Sequence, residues 1–274
     1  MSQLSASPGV FRTNRVAASL VGTGTPVLLL HGIGGSSASF AAFQEELSDH
    51  TTIAWDAPGY GASDDPASGD GEPADRYADA AFAMLRELGH RTAHVLGVSW
   101  GGVIATRMAL HAPEKVRSLV LADSSRGSGR TSEGRAGMVR RVEELAAVGS
   151  RAFAHLRGPK LLAPSASAPL VDQVIETMSR VRLAGYRGAA EMMAATDHTD
   201  ALRDIAVPTL VLVGEDDRVT GVAESEALAA GIPGARFAVV PGGGHAVCQE
   251  NPAEFAGRVR QFLADVDARA PLGS

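Results

Sequence analysis

A serine hydroxyl is a weak nucleophile at neutral pH and attacks a carbonyl only beside a base that takes its proton and an acid that orients the base. Three stretches of this 274-residue chain carry those residue types at the ends of apolar runs. The first is Gly97-Val98-Ser99-Trp100-Gly101, which follows Ala93-His94-Val95-Leu96 and opens a helical pattern over 103–110. A G-x-S-x-G string at a strand-to-helix turn is the context of a nucleophile elbow. Glycines on both sides permit the strained bend, and Gly101 and Gly102 let the helix pass close to its neighbours and aim Ser99 outward. A helix N-cap serine between packing glycines is the other use of such a string.

The base is expected at His245, in Pro241-Gly242-Gly243-Gly244-His245, because that glycine loop follows the last strand-like run, Phe237-Ala238-Val239-Val240, at the carboxyl edge of the sheet. His111 ends a helical pattern, where capping or surface roles are usual, and His50, His90, His94, His155 and His198 lie in helix, strand or cap contexts with no such address. For the acid, Gly214-Glu215-Asp216-Asp217-Arg218 follows Leu210-Val211-Leu212-Val213, and Asp217 is the choice. Asp123, directly after Leu119-Val120-Leu121-Ala122, and Asp216 stay open as alternatives, since either strand end delivers an orienting carboxylate.

An oxyanion hole needs backbone N–H groups aimed where negative charge develops. His31-Gly32-Ile33-Gly34-Gly35 is a glycine-rich turn after Val27-Leu28-Leu29-Leu30, and it supplies the N–H of Ile33 to meet that of Trp100, the residue after the nucleophile. A phosphate cradle is the competing use of such a loop, but the chain has neither G-x-x-x-x-G-K-[ST] nor an ordered G-x-G-x-x-G here. No metal and no organic cofactor is expected.

Strand-like runs must place these turns on one edge. Those above, with Thr52-Ile53-Ala54-Trp55, are short and continuously apolar, as strands buried on both faces are. Helical patterns over 77–88, 103–110 and 252–266 alternate with them, which predicts an α/β fold with a mostly parallel sheet flanked by helices. The alternation breaks over 124–200, where helical patterns at 138–148 and 170–182 surround a Pro/Ala/Ser stretch and no strand is convincing. That length exceeds an ordinary loop, so 1–123 and 201–274 are read as the core and 124–200 as an inserted helical cap. The segment 64–73 is read as a surface loop.

Composition narrows the setting. With 45% hydrophobic and 20% charged residues the chain can bury one core, and disorder is excluded. Lys plus Arg number 25 against 31 Asp plus Glu, so nothing favours a nucleic-acid backbone. The single Cys248 cannot make an internal disulfide or a cysteine-rich metal site, is expected to pack as a small hydrophobe, and fits a reducing cytoplasm. No leader pattern precedes Val10, and no apolar run approaches the roughly 20 residues that span a bilayer, so a soluble, unprocessed protein with no membrane partner is expected. A homo-oligomer is compatible with this composition.

On these landmarks the sequence resembles the α/β-hydrolase fold family. The order Ser99, Asp217, His245 is that family's order, and His31-Gly32, Asp56-Ala57-Pro58-Gly59-Tyr60-Gly61 and 97–102 are similar to its motifs over about 16–263. The resemblance implies an eight-stranded, mostly parallel sheet with a lid after the sixth strand, and an acid at Asp217 in Gly-x-x-Asp after the seventh. Val207-Pro208-Thr209, 232–237 and Gly244-His245-x-x-Cys248-x-Glu250-x-Pro252 look like the 3-oxoadipate enol-lactonase and capped-esterase branch. Trp55 to Gly61 also resembles hydrolases that cleave carbon-carbon bonds of ring-fission products. Trp100 is similar to the haloalkane dehalogenases, but Ser99 stands where those carry an aspartate, which argues against halide displacement.

The expected reaction is therefore hydrolysis of a small-molecule carboxylic ester or (enol-)lactone through an acyl-enzyme on Ser99. The alternatives are carbon-carbon bond hydrolysis by the same residues and a ligand receptor on the same scaffold. Within 124–200 there are four of the seven methionines, with Phe153 and Tyr186, and Met138, Tyr186 and Met192 are the candidates to line a substrate pocket. A core internal to the cap is the competing use of these side chains. The methionines favour an apolar substrate, while the 11 Lys and Arg against 8 Asp and Glu of the same segment, a charge of +3 beside −9 for the remainder, favour an anionic one.

Overall fold

The computed structural model describes residues 9–12, 15–65 and 72–269. The apolar runs become strands of one sheet: β1 Gly9–Arg12, β2 Ala17–Val21, β3 Pro26–Leu30, β4 Thr51–Asp56, β5 Ala93–Val98, β6 Val116–Ala122, β7 Thr209–Gly214 and β8 Arg236–Val240. Their spatial order is β1-β2-β4-β3-β5-β6-β7-β8. β1 and β2 pair antiparallel with each other and β2 antiparallel with β4, while all pairings from β4 to β8 are parallel. The residues 66–71 of the segment read as a surface loop, and 1–8 of the N-terminal stretch, lie outside the described residues.

Alternation along β3 shows why its run is apolar throughout. Leu28 and Leu30 join one core with Ile53, Ile104 and Met108, while Val27 and Leu29 join another with Phe43, Phe255 and Phe262. Successive side chains of a strand point to opposite faces, so a sheet covered on both faces draws apolar residues at both positions. The helices form the two covers. α2 Pro73–Glu87 and α3 Trp100–His111 lie on the first face; α1 Ala41–Glu46, α8 Val247–Glu250 and α9 Pro252–Asp267 lie on the second. α7 Val222–Gly231 joins β7 to β8.

Three helices, α4 Ser132–Arg157, α5 Ala168–Ser179 and α6 Leu183–Ala195, follow one another between β6 and β7. α4 extends beyond its predicted core on both sides. Thr131 caps its start by accepting the Gly134 N–H at 3.0 Å, and Gly149 breaks it internally with φ 76°. α5 stops at Ser179, three residues before the predicted end. Among the described residues no helix is long and apolar enough to cross a membrane.

Two histidines are locked in the interior. His94 on β5 is fully buried with Nδ1 2.7 Å from Ser118 Oγ, and His198 has Nε2 3.2 Å from the Val103 carbonyl oxygen. Burial holds both far below the ordinary 6.5, at about 4. Between those limits the unfolded chain binds protons that the folded chain refuses, so this contribution to stability is complete above pH 6.5 and is lost as pH falls toward 4. Asp123, raised to about 7, acts in the opposite sense over the same range. Ring titration separates them: by NMR, His94 and His198 are expected to stay neutral at about pH 5.5, where an unperturbed histidine is mostly protonated. Titration of both near 6.5 would contradict this burial.

Candidate active site

Ser99 sits on the turn between β5 and α3 with φ 54° and ψ −118°, a conformation that costs a non-glycine residue about 1–3 kcal/mol. The turn is fastened to the neighbouring strand: Ser99 N–H donates to the Ala122 carbonyl (2.9 Å), and the Ser99 carbonyl accepts from Gly102 N–H (2.9 Å) and the Ser124 hydroxyl (3.0 Å). Close approach explains the flanking glycines. A Cβ on Gly97 would fall on the backbone of Gly101, and one on Gly101 would fall on the Leu30 carbonyl. The sequence therefore permits a bend that presents the hydroxyl at the carboxyl edge of the sheet.

His245 reaches that hydroxyl from the loop after β8, with Nε2 2.9 Å from Ser99 Oγ. Its Nδ1 lies 3.1 Å from each carboxylate oxygen of Asp217, in the loop after β7. A carboxylate only accepts, so Nδ1 carries the proton and Nε2 is left to accept from Ser99. Asp217 is itself held from behind: Oδ1 accepts from Val219 N–H (2.7 Å) and Thr220 N–H (3.2 Å), and Oδ2 from the Thr220 hydroxyl (2.6 Å). Burial works against its charge, but the hydrogen bond and charge of His245, with Thr220 and Val219, outweigh it and keep the carboxyl down to about 2. The group is ionised throughout the neutral range.

Neither alternative carboxylate touches His245. Asp123, fully buried with φ 47°, accepts Gly214 N–H at Oδ1 (2.8 Å) and Val247 N–H at Oδ2 (3.3 Å). It thus ties the end of β6 to the end of β7 and to the segment after His245. Burial, reinforced by the charge of Asp217, pushes its carboxyl up to about 7 against the opposing pull of His245 and the two N–H donors. Asp216 is anchored by its backbone N–H to the Gly243 carbonyl (2.8 Å), which leaves Asp217 to face the imidazole.

Ile33 and Gly34 form the centre of a turn closed by Gly35 N–H to the Gly32 carbonyl (2.9 Å). His31 braces it: Ala57 N–H donates to Nε2 (3.1 Å), so Nδ1–H donates to the Gly32 carbonyl (2.8 Å). Burial keeps that ring below its ordinary pKa and hence neutral. The Tyr60 hydroxyl donates to the Ile33 carbonyl at 2.9 Å and fixes the peptide beside it. Trp100 opens α3, and an N–H at the first helical position has no partner within the helix. Gly32 stands so close to the nucleophile that a Cβ there would lie 3.3 Å from that of Ser99.

These turns surround a cavity of about 780 Å³, lined by Ser99, His245, Ile33 and Tyr186 among others. Met138 and Met192, expected as pocket residues, do not line it. Met192 is fully buried and its sulfur accepts the Trp100 indole N–H at 2.9 Å, while Met138 belongs to the main core. Met178 and Phe153 line the cavity instead, and Met178 lies against Gly34 of the glycine turn. Cys248 also contributes to the wall; it is buried, and burial pushes its thiol well above the usual range.

Constellation alone does not make a site. His94 lies between Ser118 Oγ (2.7 Å) and Asp267 Oδ1 (3.2 Å), the same three residue types, yet it is fully buried at the opposite edge of the sheet and away from the cavity. The Ser99 group differs by opening into a cavity of about 780 Å³.

The chain belongs to the α/β-hydrolase fold family, whose model matches residues 25–252. It is 33% identical to a candidate carbamate hydrolase, RutD, of Azorhizobium caulinodans, over 90% of this chain and 94% of that protein. It is 31% identical to the 2-hydroxymuconate semialdehyde hydrolase of Pseudomonas putida, over 90% of each. Among solved structures, a thermophilic esterase of Thermogutta terrifontis, with malate bound, superposes with a TM-score of 0.83 at 28% identity, covering 95% of this chain and 99% of that one. The chain is a hydrolase by these likenesses, and the relatives are named for a carbamate hydrolase, a semialdehyde hydrolase and an esterase activity.

Proposed function

We propose that the protein is a serine hydrolase that cleaves a small-molecule carboxylic ester or (enol-)lactone through an acyl-enzyme on Ser99. The observation that carries this reading is the continuous chain Asp217, His245, Ser99, at 3.1 and 2.9 Å, ending in the 780 Å³ cavity. His245 Nε2 takes the hydroxyl proton as Ser99 Oγ bonds to the carbonyl carbon. The carbonyl oxygen becomes an oxyanion that accepts from the Ile33 and Trp100 N–H groups. The carbon–oxygen bond to the leaving group then breaks, and that oxygen takes the proton from His245. Water then takes the place of the serine: His245 removes its proton as its oxygen bonds to the acyl carbon, the acyl–Ser99 bond breaks, and the proton passes from His245 to Ser99 Oγ. Asp217 holds the imidazole in the required tautomer and stabilises its cation.

Residues 124–200 act in this reading as a lid over a core made of 1–123 and 201–274. Phe153, Met178 and Tyr186, one from each of α4, α5 and α6, line the cavity that Ser99 and His245 open into, which supports that role. A second reading, carbon-carbon bond hydrolysis of ring-fission products, is favoured by the likeness to the Pseudomonas putida hydrolase. A panel of p-nitrophenyl esters, lactones and vinylogous diketones distinguishes them. The lead reading expects esters or lactones to exceed the diketones in kcat/KM by at least about a hundredfold, a difference of near 3 kcal/mol in transition-state binding. The reverse order would establish the second. Tight ligand binding together with turnover that Ser99→Ala leaves untouched would instead indicate a receptor.

A further inference from the structure

We propose that the substrate carries a carboxylate remote from its scissile bond, and that Arg141 of α4, with Tyr186 on the wall of the same cavity, receives that carboxylate. The inference rests on the reading of Ser99 as the nucleophile, and it names the substrate class that this site takes. Arg141, Arg157, Lys160 and Arg218 all line the cavity, and among the described residues no aspartate or glutamate does. The wall is otherwise largely apolar, so a half-buried cation there without a counter-charge is poorly compensated until a ligand supplies one.

The four cations are not equivalent. Arg157 is already paired, 2.6 Å from Glu144 Oε2, and its guanidinium lies over the Phe153 ring at 5.2 Å. Lys160 and Arg218 are exposed, where solvent screens them. Arg141 is half-buried, and among the described residues no carboxylate lies within ion-pair distance of it. Glu144, the acidic group that also acts on Tyr186, is engaged by Arg157.

Tyr186 completes the subsite. It is 2% exposed, sits edge-on to Phe153 with ring centroids 5.3 Å apart, and lines the same cavity. Burial raises its pKa, opposed by the charges of Arg141 and Arg157, so the phenol stays protonated and keeps a donor. A guanidinium and a phenolic O–H, the latter fixed by the packing of Tyr186 on Phe153, suit a carboxylate with its two acceptor oxygens. The uneven charge of the chain, +3 over 124–200 and −9 elsewhere, has its local expression here.

The test compares p-nitrophenyl hydrogen glutarate with p-nitrophenyl pentanoate, which match in length and differ in the terminal carboxylate. Wild-type protein is expected to prefer the glutarate ester. Arg141→Gln is expected to lower kcat/KM for it by about 10- to 100-fold, the worth of a charge-assisted hydrogen bond, with the pentanoate changed less than about twofold. Arg141→Lys recovers part of the preference, and Arg140→Gln, at an exposed neighbour outside the cavity lining, leaves both rates near wild type. Equal loss on both esters in Arg141→Gln, or no wild-type preference, overturns the proposal. If neither ester is hydrolysed, the reading of Ser99 fails by itself. The subsite is then read by calorimetric binding of glutarate: at least tenfold weaker binding in Arg141→Gln supports it, and equal affinity overturns it.

Discussion

Ser99→Ala is expected to lower turnover of an ester substrate by about four to six orders of magnitude while leaving the protein folded. The rate effect follows from removing the atom that forms the covalent bond. Retention of the fold follows from what holds the turn, because the tethers to Ala122, Gly102 and Ser124 all run through the backbone of residue 99. Among the described residues the Ser99 hydroxyl itself hydrogen-bonds only with His245. Steady-state kinetics beside a thermal melt check both halves. A melting temperature unchanged within a few degrees with the rate collapsed is the expected pair, and a variant retaining a tenth of wild-type turnover would remove Ser99 from the chemistry.

Asp217→Asn is expected to cost about 10⁴-fold in kcat, and Asp123→Asn less than about tenfold. Asp217 accepts at once from His245 Nδ1, two backbone N–H groups and the Thr220 hydroxyl, which only a carboxylate can do. An asparagine turns an NH₂ toward one of those donors, and the imidazole then loses either its tautomer or the charge that stabilises its cation. Asp123 makes no contact with His245 and accepts one N–H at each oxygen. Its asparagine loses one of those bonds, so the cost falls on stability and on the joint between β6, β7 and the histidine loop. Side-by-side kinetics and melts of the two variants separate these roles. If Asp123→Asn proved the slower enzyme, the acid would be misassigned.

Most of the parallel sheet was legible in the chain because β3 and β5 to β7 are buried on both faces, and such strands leave unbroken apolar runs. β2 left none: its Ala-Ala-Ser-Leu-Val is only half covered, so the pairing with β4 shows in the register alone. α6 was equally silent. Gly185 interrupts its pattern because that residue packs against the backbone of Gly59, a contact no local rule anticipates. Ser99, His245 and Asp217 were legible because each follows a strand that ends at the same edge. What fixes them was not: the Thr220 hydroxyl on Asp217 and the Tyr60 hydroxyl on the Ile33 carbonyl depend on tertiary approach. Met138 and Met192 misled for the related reason that composition names the side chains of a helix but not the face they turn to the cavity, where Met178 and Arg141 stand instead. Asp123 shows the limit from the other side, being a carboxylate at the right edge whose partners are backbone amides.

Trapping of the intermediate bears on all of this at once. Wild-type protein is mixed with a p-nitrophenyl ester, quenched in acid during the burst, digested, and weighed by mass spectrometry. The peptide containing Ser99 is expected to gain the mass of one acyl group, in step with the p-nitrophenol released, and the Ser99→Ala protein is expected to gain none. Turnover without any acyl adduct on wild-type protein, or an adduct on another residue that persists in Ser99→Ala, would contradict a nucleophilic Ser99.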